Sequence, residues 1–298
     1  MLHLYSMSAE QSYKRISGFL SEFGDSCISI IKVVIRSKIL PRLPKAADST
    51  CVILGNGPSL KKSLSDHKNF LFKKSLICVN AFSVSDQYDE FKPQYYVILD
   101  NSFWDSNGKV ILDTVAALKE KTTWPVKLYL PIKASKYKRF EELAAANSNI
   151  KLHYYNYTVF KGFAGISHWF YTKNLAMPQS QNVLVASIFI AINSGFKEIL
   201  IVGADHTWHE NMHVNENNVL CLKDVHFYDN ELKTTYIPFK KGMDLKETFK
   251  VHEIFATWAK TFYGYIALEK YSNYKKCKIY NASEVSFIDA FERKQIHE

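Results

Sequence analysis

Two glycines and a proline follow an apolar run in the stretch CVILGNGPSL, residues 51–60. Gly55 and Gly57 permit a tight turn and a close approach of the backbone to another group. Pro58 suits the first turn of a helix, where its missing N–H is not needed. A helix starting here would direct amide groups at a phosphate, and Asn56 would add a side-chain donor and acceptor. The stretch predicts an anion-binding turn, with a plain strand-to-helix turn as the alternative.

Polar residues also follow three other apolar runs. They are Asn80 in ICVNAF, Asp100 and Asn101 in VILDNSFW, and Gly203, Asp205 and His206 in ILIVGADHTW. In an open α/β sheet, ligands bind beyond the carboxyl ends of the strands, so we expect these side chains to converge on one crevice. Each alone is more typical of a turn or a helix cap. Together they predict a nucleotide or sugar site.

Other nucleotide and metal motifs are missing. The glycine-rich turn lacks the Gly-Lys-Ser/Thr of a phosphate loop and does not read G-x-G-x-x-G, and the chain has no D-x-D. His206, His209 and His213 lie close together in DHTWHENMHV, but their spacing matches no standard zinc motif. Contact with a substrate or phosphate is the favoured interpretation of these histidines, ahead of a metal site or an ordinary surface loop.

The composition indicates a large α/β domain. The 298 residues are 47% hydrophobic, and the five cysteines are scattered without a C-x-x-C, which is typical of reduced cytoplasmic thiols. The formal net charge is +9, and lysines occur in scattered pairs. This pattern is typical either of an ordinary solvated surface or of a protein that binds an anionic membrane or a phosphorylated substrate. No nucleic-acid-binding motif accompanies this charge, so nucleic acid is not expected as a partner.

An amphipathic helix is predicted over residues 8–40, where apolar positions alternate with basic ones. Its apolar run is broken by charges and is shorter than the about 20 apolar residues that span a bilayer. The helix either lies in a membrane interface or docks on the core. We therefore predict a helical segment over residues 1–48, with membrane association and core docking both left open, and a Rossmann-like nucleotide-sugar-binding catalytic domain over 49–298. The linker PRLPKAADS joins the two.

From residue 49 onward, strand and helix patterns alternate. The expected strands are 51–54, 75–79, 95–99, 126–130, 150–155, 198–202 and 277–280. The expected helices lie near 107–120, 134–147, 183–194 and 246–271. The helix VLVASIFIAIN is apolar on nearly every side and should be fully buried. This alternation predicts an α/β fold with a Rossmann-like, doubly wound, mostly parallel sheet and an N-terminal helical appendage.

Three stretches in this order, VILGNGPSL, ICVNAF and SGFKEILIVGAD, closely resemble the bacterial sialyltransferases that modify lipooligosaccharide. They are equally similar to the MptE-like domain family, which includes motility-associated flagellin glycosyltransferases and an archaeal hydroxymethylpterin pyrophosphokinase. The resemblance extends over residues 50–292, and KIYNASEVSFIDAFER matches the typical end of MptE-like domains. It implies that the strand ends hold the CMP of a CMP-sugar. The expected donor-binding residues are Gly55, Asn56, Gly57, Ser59, Asn80, Asp100, Asn101, Ser180, Gly203, Asp205 and His206.

The chemistry of a CMP-sugar requires neither a metal nor another cofactor, because the leaving group is a monophosphate that amides or a histidine can stabilise. A histidine is also suited to deprotonate the acceptor hydroxyl. The chain departs from the sialyltransferases here. Thr207 stands where a phosphate-binding tyrosine is expected, and no histidine occupies the catalytic position. His226 and His213 are the candidate bases.

The function predicted from the sequence is a metal-independent glycosyltransferase. It would move a sugar, such as a nonulosonic acid, from a CMP-sugar to a bacterial O-antigen, capsule or lipooligosaccharide. Its partners would be the donor, a glycan or glycolipid acceptor and an anionic membrane surface, with a homo-oligomer left open. The expected location is the cytoplasm or the inner face of the plasma membrane. A magnesium-dependent pyrophosphokinase and a non-catalytic nucleotide-binding domain are the alternatives.

Overall fold

A computed structural model describes residues 9–223, 236–241 and 247–297. Its centre is an eight-stranded sheet in which every neighbouring pair of strands is parallel. The strands of this sheet are β1 (Thr50–Leu54), β2 (Ser75–Val79), β3 (Tyr95–Val97), β4 (Val126–Pro131), β5 (Ile150–Tyr155), β6 (Glu198–Val202), β10 (Lys278–Asn281) and β11 (Glu292–Arg293). The predicted Rossmann-like α/β class is confirmed.

Helices lie on both faces of the sheet. They are α1 (Ala9–Arg36), α2 (Leu60–Asp66), α3 (Lys68–Leu71), α4 (Gln87–Phe91), α5 (Ser102–Asp105), α6 (Lys109–Lys121), α7 (Arg139–Ala146), α8 (Ala164–Thr172), α9 (Val183–Ser194) and α10 (Val251–Tyr274). Short 3₁₀ turns occupy Asn80–Val84, Ile132–Lys136 and Trp208–Asn211. Within the described residues, no helix is long and apolar enough to cross a membrane.

The core forms two layers because successive residues of a strand point to opposite faces of the sheet. Ile53 of β1 packs with α9 and α10 on one face, and Val52 packs with α2, α6 and α7 on the other. Strands buried on both faces need a nearly continuous apolar sequence, which explains the runs seen in the chain. Helix α9 is buried along almost its whole length, as its apolar sequence predicts.

The strand order is β11-β10-β6-β1-β2-β3-β4-β5. From β1 the chain adds strands in one direction as far as β5, and it then returns through α8 and α9 to place β6 on the other side of β1. The winding direction therefore reverses between β1 and β6. In doubly wound sheets this switch point opens a crevice at the carboxyl ends of the strands.

A second, three-stranded antiparallel sheet follows β6. Its strands are β7 (Met212–Val214), β8 (Leu220–Lys223) and β9 (Tyr236–Pro238), in the order β7-β8-β9. The sequence gives no clear signal for this small sheet, because strands of three or four residues are too short to show a periodic pattern. It matters for function because β8 and β9 contribute to the crevice described below.

The N-terminal helix is tied to the domain along its second half. Val33 of α1 and Leu43 of the following segment are buried in the core layer next to α9. The backbone of Lys38 exchanges two hydrogen bonds with the side chain of Asn156, of 2.9 and 2.8 Å. The segment predicted to be a linker therefore packs on the domain, and the boundary between residues 48 and 49 stays a prediction.

Helix α10 approaches the chain before α9 at a glycine. A Cβ at Gly264 would overlap the backbone oxygen of Gln179 and lie 3.3 Å from two methyl carbons of Val185. The substitution Gly264→Ala should lower the free energy of unfolding by about 1–3 kcal/mol, because backbone has to move to admit the methyl group. Urea denaturation with an unchanged m-value measures this loss.

Gly18→Ala is the matched control, because Gly18 lies in the exposed part of α1 and a Cβ added there would meet no atom within 4 Å. There the change from glycine to alanine should stabilise the protein by about 0.5–1 kcal/mol through helix propensity alone. Equal effects at the two glycines would show that α10 does not pack at Gly264 as described.

Candidate functional site

The ends of β1 and β6 meet at the switch point and are joined through their backbones. The N–H of Gly55 donates to the carbonyl of Val202 at 2.8 Å, and the N–H of Gly57 donates to the carbonyl of Gly203 at 2.9 Å. A Cβ at Gly57 would lie 2.7 Å from both the Gly203 carbonyl oxygen and Oδ1 of Asp205. The glycines are needed because one strand end lies against the other.

Asp205 holds the start of α2 against the end of β6. Its Oδ2 accepts the backbone N–H of Ser59 at 2.9 Å, and its Oδ1 accepts the hydroxyl of Ser59. Burial raises the pKa of Asp205, an effect that the two bonds from Ser59 oppose. The amides of Gly57 and Ser59 are thus engaged within the protein, so the expectation of free amides at this turn is not met at either residue.

His206 is a buried, neutral member of an aromatic cluster. Its Nε2 lies 2.7 Å from the hydroxyl of Tyr265, and its ring stacks on Trp208 at a centroid distance of 4.2 Å. Burial lowers the pKa of His206 to about 3. The imidazole is therefore uncharged at neutral pH, and it cannot neutralise a phosphate as a cation.

Asn56 and Asn80 present unused hydrogen-bond acceptors. The side-chain nitrogen of Asn56 donates to the carbonyl of Val79 at 3.2 Å, which fixes the orientation of the amide. The Oδ1 atoms of Asn56 and Asn80 are both buried, and neither has a donor among the described residues. A buried acceptor without a donor costs about 1–3 kcal/mol. Both residues line the cavity described below, and either oxygen would accept a hydroxyl or amino group of a ligand once a small movement of its amide exposed it.

A cavity of about 580 Å³ lies at this edge of the sheet. Its lining comes from the ends of β1, β2 and β6, from the starts of α5 and α9, and from the small antiparallel sheet. The lining residues are Asn56–Pro58, Val79–Ala81, Phe103, Asn182–Leu184, Gly203, Asp205–Trp208, Asn211, Leu222, Lys223 and Ile237–Phe239. The volume is in the range typical of small-molecule sites.

The positive end of the cavity is formed by α9 and β8. Asn182 caps α9 by accepting the N–H of Leu184 at 2.8 Å, so the N-terminus of a twelve-residue buried helix borders the cavity. Lys223 is the only cationic residue of the described lining, and it has no ion-pair partner among the described residues. A helix N-terminus and a lysine both favour an anionic group.

Six of the predicted site residues line the cavity, namely Asn56, Gly57, Asn80, Gly203, Asp205 and His206. Gly55 and Ser59 lie beside it and bond to its walls. Ser180 is fully buried behind the lining and donates its hydroxyl to the carbonyl of Asn182 at 2.9 Å.

The third strand end turns outward. Asp100 and Asn101 are exposed and do not line the cavity. The Oδ1 of Asp100 accepts the N–H and the hydroxyl of Ser102, at 2.9 and 2.8 Å, which makes a local turn into α5. This is the ordinary turn role that such a residue more often has. Of the residues after the third strand, Phe103 of α5 lines the cavity.

The histidines are spread out. His213 is exposed on β7, outside the cavity lining, and its ring lies tilted against Tyr236 at a centroid distance of 5.2 Å. His209 packs against Phe287 at a centroid distance of 4.5 Å. Within the described residues, no three histidine, cysteine or carboxylate side chains are grouped as metal ligands. His226 lies outside the described residues.

Two residues of the cavity lining, Asn182 and Lys223, are not among the predicted site residues. An asparagine directly before the apolar helix VLVASIFIAIN is a recognisable N-cap signal, so Asn182 was open to prediction. Nothing in the sequence marks Lys223, because its place depends on the small sheet.

Comparison with known proteins gives one family match. A family model described as 6-hydroxymethylpterin diphosphokinase MptE-like matches residues 28–211, which is more than half of the chain. The curated proteins include no match. Among solved structures, the MAf glycosyltransferase from Magnetospirillum magneticum AMB-1 is similar, with 13% identity and a TM-score of 0.47. That similarity covers 93% of this chain and 38% of the MAf chain, so this chain spans well under half of that protein's length.

The buried neutral His206 should make the stability of the protein depend on pH. Because its pKa is about 3 in the folded state and 6.5 ordinarily, the unfolded state binds one more proton between these values. Stability should fall as the pH drops from 6.5 towards 3. In His206→Asn, the slope of unfolding free energy against pH between about 4 and 6 should be smaller by about 1.4 kcal/mol per pH unit.

Urea denaturation at a series of pH values measures this slope. Asparagine suits the left-handed backbone of His206, where φ is 56°. His213→Asn removes an exposed histidine and is the control for loss of an imidazole. If His206→Asn keeps the slope of the wild type, then His206 is not buried in the neutral form.

Proposed function

We propose that this chain, which belongs to the MptE-like family, is a glycosyltransferase that takes its sugar from a CMP-sugar bound in the cavity between β1 and β6. The observation that carries the proposal is that Asn56 and Asn80 both line the cavity and that each has a buried Oδ1 atom without a donor among the described residues. The resemblance of the β1, β2 and β6 ends to the CMP-binding segments of sialyltransferases agrees with it.

The chemistry of the two oxygens suggests which part of the donor they bind. An amide oxygen accepts hydrogen bonds, and so does a phosphate oxygen, so the two repel each other. The hydroxyl groups of a ribose and the amino group of a cytosine are donors. Asn56 and Asn80 would therefore hold the nucleoside, rather than the phosphate that the sequence analysis assigns to this turn.

The phosphate of the donor would lie at the other wall. Asn182 and Val183 place the N-terminus of α9 at the cavity, and Lys223 adds a full positive charge. In the transition state a monophosphate leaves and its negative charge grows. A helix N-terminus and a lysine stabilise that charge from fixed positions, without a metal ion.

The acceptor hydroxyl needs a general base. His226 is the proposed base; it follows the cavity-lining Lys223 by three residues in the chain and lies outside the described residues. His213 is the weaker candidate, because its exposed position on β7 is outside the cavity lining. The growing surface glycan remains the proposed acceptor, with the sugar a nonulosonic acid.

A magnesium-dependent pyrophosphokinase is the second candidate, because the family model carries the description of one. Such an enzyme transfers a diphosphate from ATP and needs carboxylates that hold metal ions. The two carboxylates expected near the site are occupied otherwise. Both oxygens of Asp205 bind Ser59, and Oδ1 of Asp100 binds Ser102 at the start of α5. This arrangement favours the transferase.

Thermal unfolding with nucleotides separates these functions. In EDTA, CMP and CMP-N-acetylneuraminic acid should both raise the melting temperature, since a ligand at 100 times its dissociation constant adds about 2.7 kcal/mol of stability. The CMP-sugar should bind more tightly than CMP, because it fills more of the cavity. Stabilisation by ATP only when magnesium is present, with none by CMP, would contradict the proposal and support the pyrophosphokinase. No response to either would leave a non-catalytic domain.

Point variants locate the binding. By calorimetry with CMP, Asn56→Ala and Asn80→Ala should each weaken affinity by about tenfold or more, the usual effect of removing a buried polar partner. Asn69→Ala is the matched control, because Asn69 is exposed on α3, away from the lining. Asn101→Ala should also keep wild-type affinity. A loss at Asn101 with none at Asn56 and Asn80 would place the nucleotide at the third strand end.

A further inference from the structure

We propose that α1 and the basic segment after it bind the protein to an anionic lipid surface, with the apolar face of the helix in the headgroup region. This apolar face consists of Tyr13, Ile16, Leu20, Phe23, Ile31 and Val34, whose side chains are 54–77% exposed. The proposal stands independently of the reaction that the protein performs.

The apolar face is separate from the side of α1 that contacts the domain. Ser26 and Ser29 accept the backbone N–H groups of Phe163 and Lys161, at 3.0 and 2.9 Å, and Val33 is buried in the core. With 100° of rotation per residue, the side of α1 that carries Ser26, Ser29 and Val33 lies roughly 120° around the helix axis from the apolar face. The domain therefore holds the helix with its apolar face turned towards solvent.

This arrangement reverses the usual one. A surface helix normally buries its apolar stripe against the core and leaves small polar residues in water. Here α1 docks through two serines, the buried Val33 and a ring contact of Phe19 with Phe163 at 5.3 Å. Most of its large apolar side chains stay exposed along about six turns. A continuous exposed apolar surface of this kind marks an interaction site.

The charge of the neighbouring chain indicates what covers the face. Between residues 32 and 45 the chain carries five exposed cations and no acidic residue: Lys32, Arg36, Lys38, Arg42 and Lys45. None of the five has an ion-pair partner among the described residues. Lys32 and Arg36 lie roughly 140–180° around α1 from the apolar face, whereas Lys38, Arg42 and Lys45 follow the helix in the chain. Basic residues that adjoin an amphipathic helix complement anionic lipid headgroups. A parallel pairing of two copies would instead bring these like charges together.

The docking of α1 also sets the orientation of the domain on a membrane. Ser37 and Lys38, at the end of α1, bond to Thr158 and Asn156, which directly follow β5 at the carboxyl edge of the sheet. The cavity opens at the same edge. If the proposed transferase function holds, a lipid-anchored acceptor and the bound donor would lie at the same edge of the sheet, with β5 four strands away from β1.

Co-sedimentation of the full chain with vesicles tests the proposal. It should bind vesicles of phosphatidylcholine that contain about a third phosphatidylglycerol much better than phosphatidylcholine alone, because anionic lipid attracts each basic residue by about 1 kcal/mol. Leu20→Glu should weaken this binding by about tenfold or more, since it removes one apolar side chain that would be buried in the lipid on binding. Ser21→Glu adds the same charge to the neighbouring, polar position and should have the smaller effect.

The basic segment has its own matched pair. Lys38→Gln with Arg42→Gln should weaken binding to anionic vesicles by about fivefold for each cation removed. Lys73→Gln with Lys119→Gln removes the same charge at the opposite, amino edge of the sheet and should change binding little. All four positions are exposed, and thermal melts of each variant verify that it folds.

Three results would overturn the proposal. The first is equal binding to neutral and anionic vesicles, and the second is equal binding by Leu20→Glu and Ser21→Glu. The third is absence of vesicle binding together with a dimer, seen by sedimentation equilibrium, that Leu20→Glu dissociates. That last outcome would assign the apolar face to a second copy of the chain.

Discussion

Two backbone hydrogen bonds, from Gly55 to Val202 and from Gly57 to Gly203, draw the ends of β1 and β6 closer than any side chain at the glycines would permit. This contact joins β1 to β6 beneath the crevice, at the point where the sheet reverses its winding. It also brings Asp205 to the start of α2, where its carboxylate binds Ser59. The rest of the site is arranged around this junction.

The junction determines what is left for a ligand. Because the amides of Gly57 and Ser59 and both oxygens of Asp205 are used within the protein, the turn offers little to an anion. What it offers is the amide oxygen of Asn56, whose side-chain nitrogen donates to the carbonyl of Val79. The amide oxygen of Asn80, at the end of the next strand, likewise has no donor among the described residues. The positive groups lie across the cavity, at the start of α9 and at Lys223. A ligand with donors at one end and an anion at the other fits this polarity.

Most of the sheet was predictable from the sequence. The strands at 75–79 and 198–202 agree residue for residue, because parallel strands buried on both faces need unbroken apolar runs. The strand at 150–155 also agrees, although it is a partly exposed edge strand. The convergence of Asn56, Asn80 and Asp205 followed from the rule that strand ends meet at one edge. Local sequence reports such features well, since each depends on a single element.

Other features depend on distant parts of the chain. The sequence shows that Gly57 needs a close neighbour, but only the fold shows that the neighbour is Gly203 rather than a ligand. Asp100 and Asn101 turn outward because α5 begins at once and Asp100 bonds to its first residue, Ser102. The strand-end rule does not consider such local hydrogen bonds. The burial that makes His206 neutral comes from Tyr265 and Trp208. Tyr265 belongs to α10, which is distant in the chain, so the motif alone does not predict this contact.

The central claim is that the strand ends around the β1–β6 junction hold a nucleoside. Hydrogen exchange measured by mass spectrometry, with and without CMP in EDTA, tests it most directly. The account predicts slower exchange in peptides that cover residues 55–60, 79–84 and 203–211, with no change in residues 68–74 at the opposite edge. Unchanged exchange at the three strand-end peptides while CMP is bound would contradict it, because the nucleotide would then lie elsewhere on the molecule.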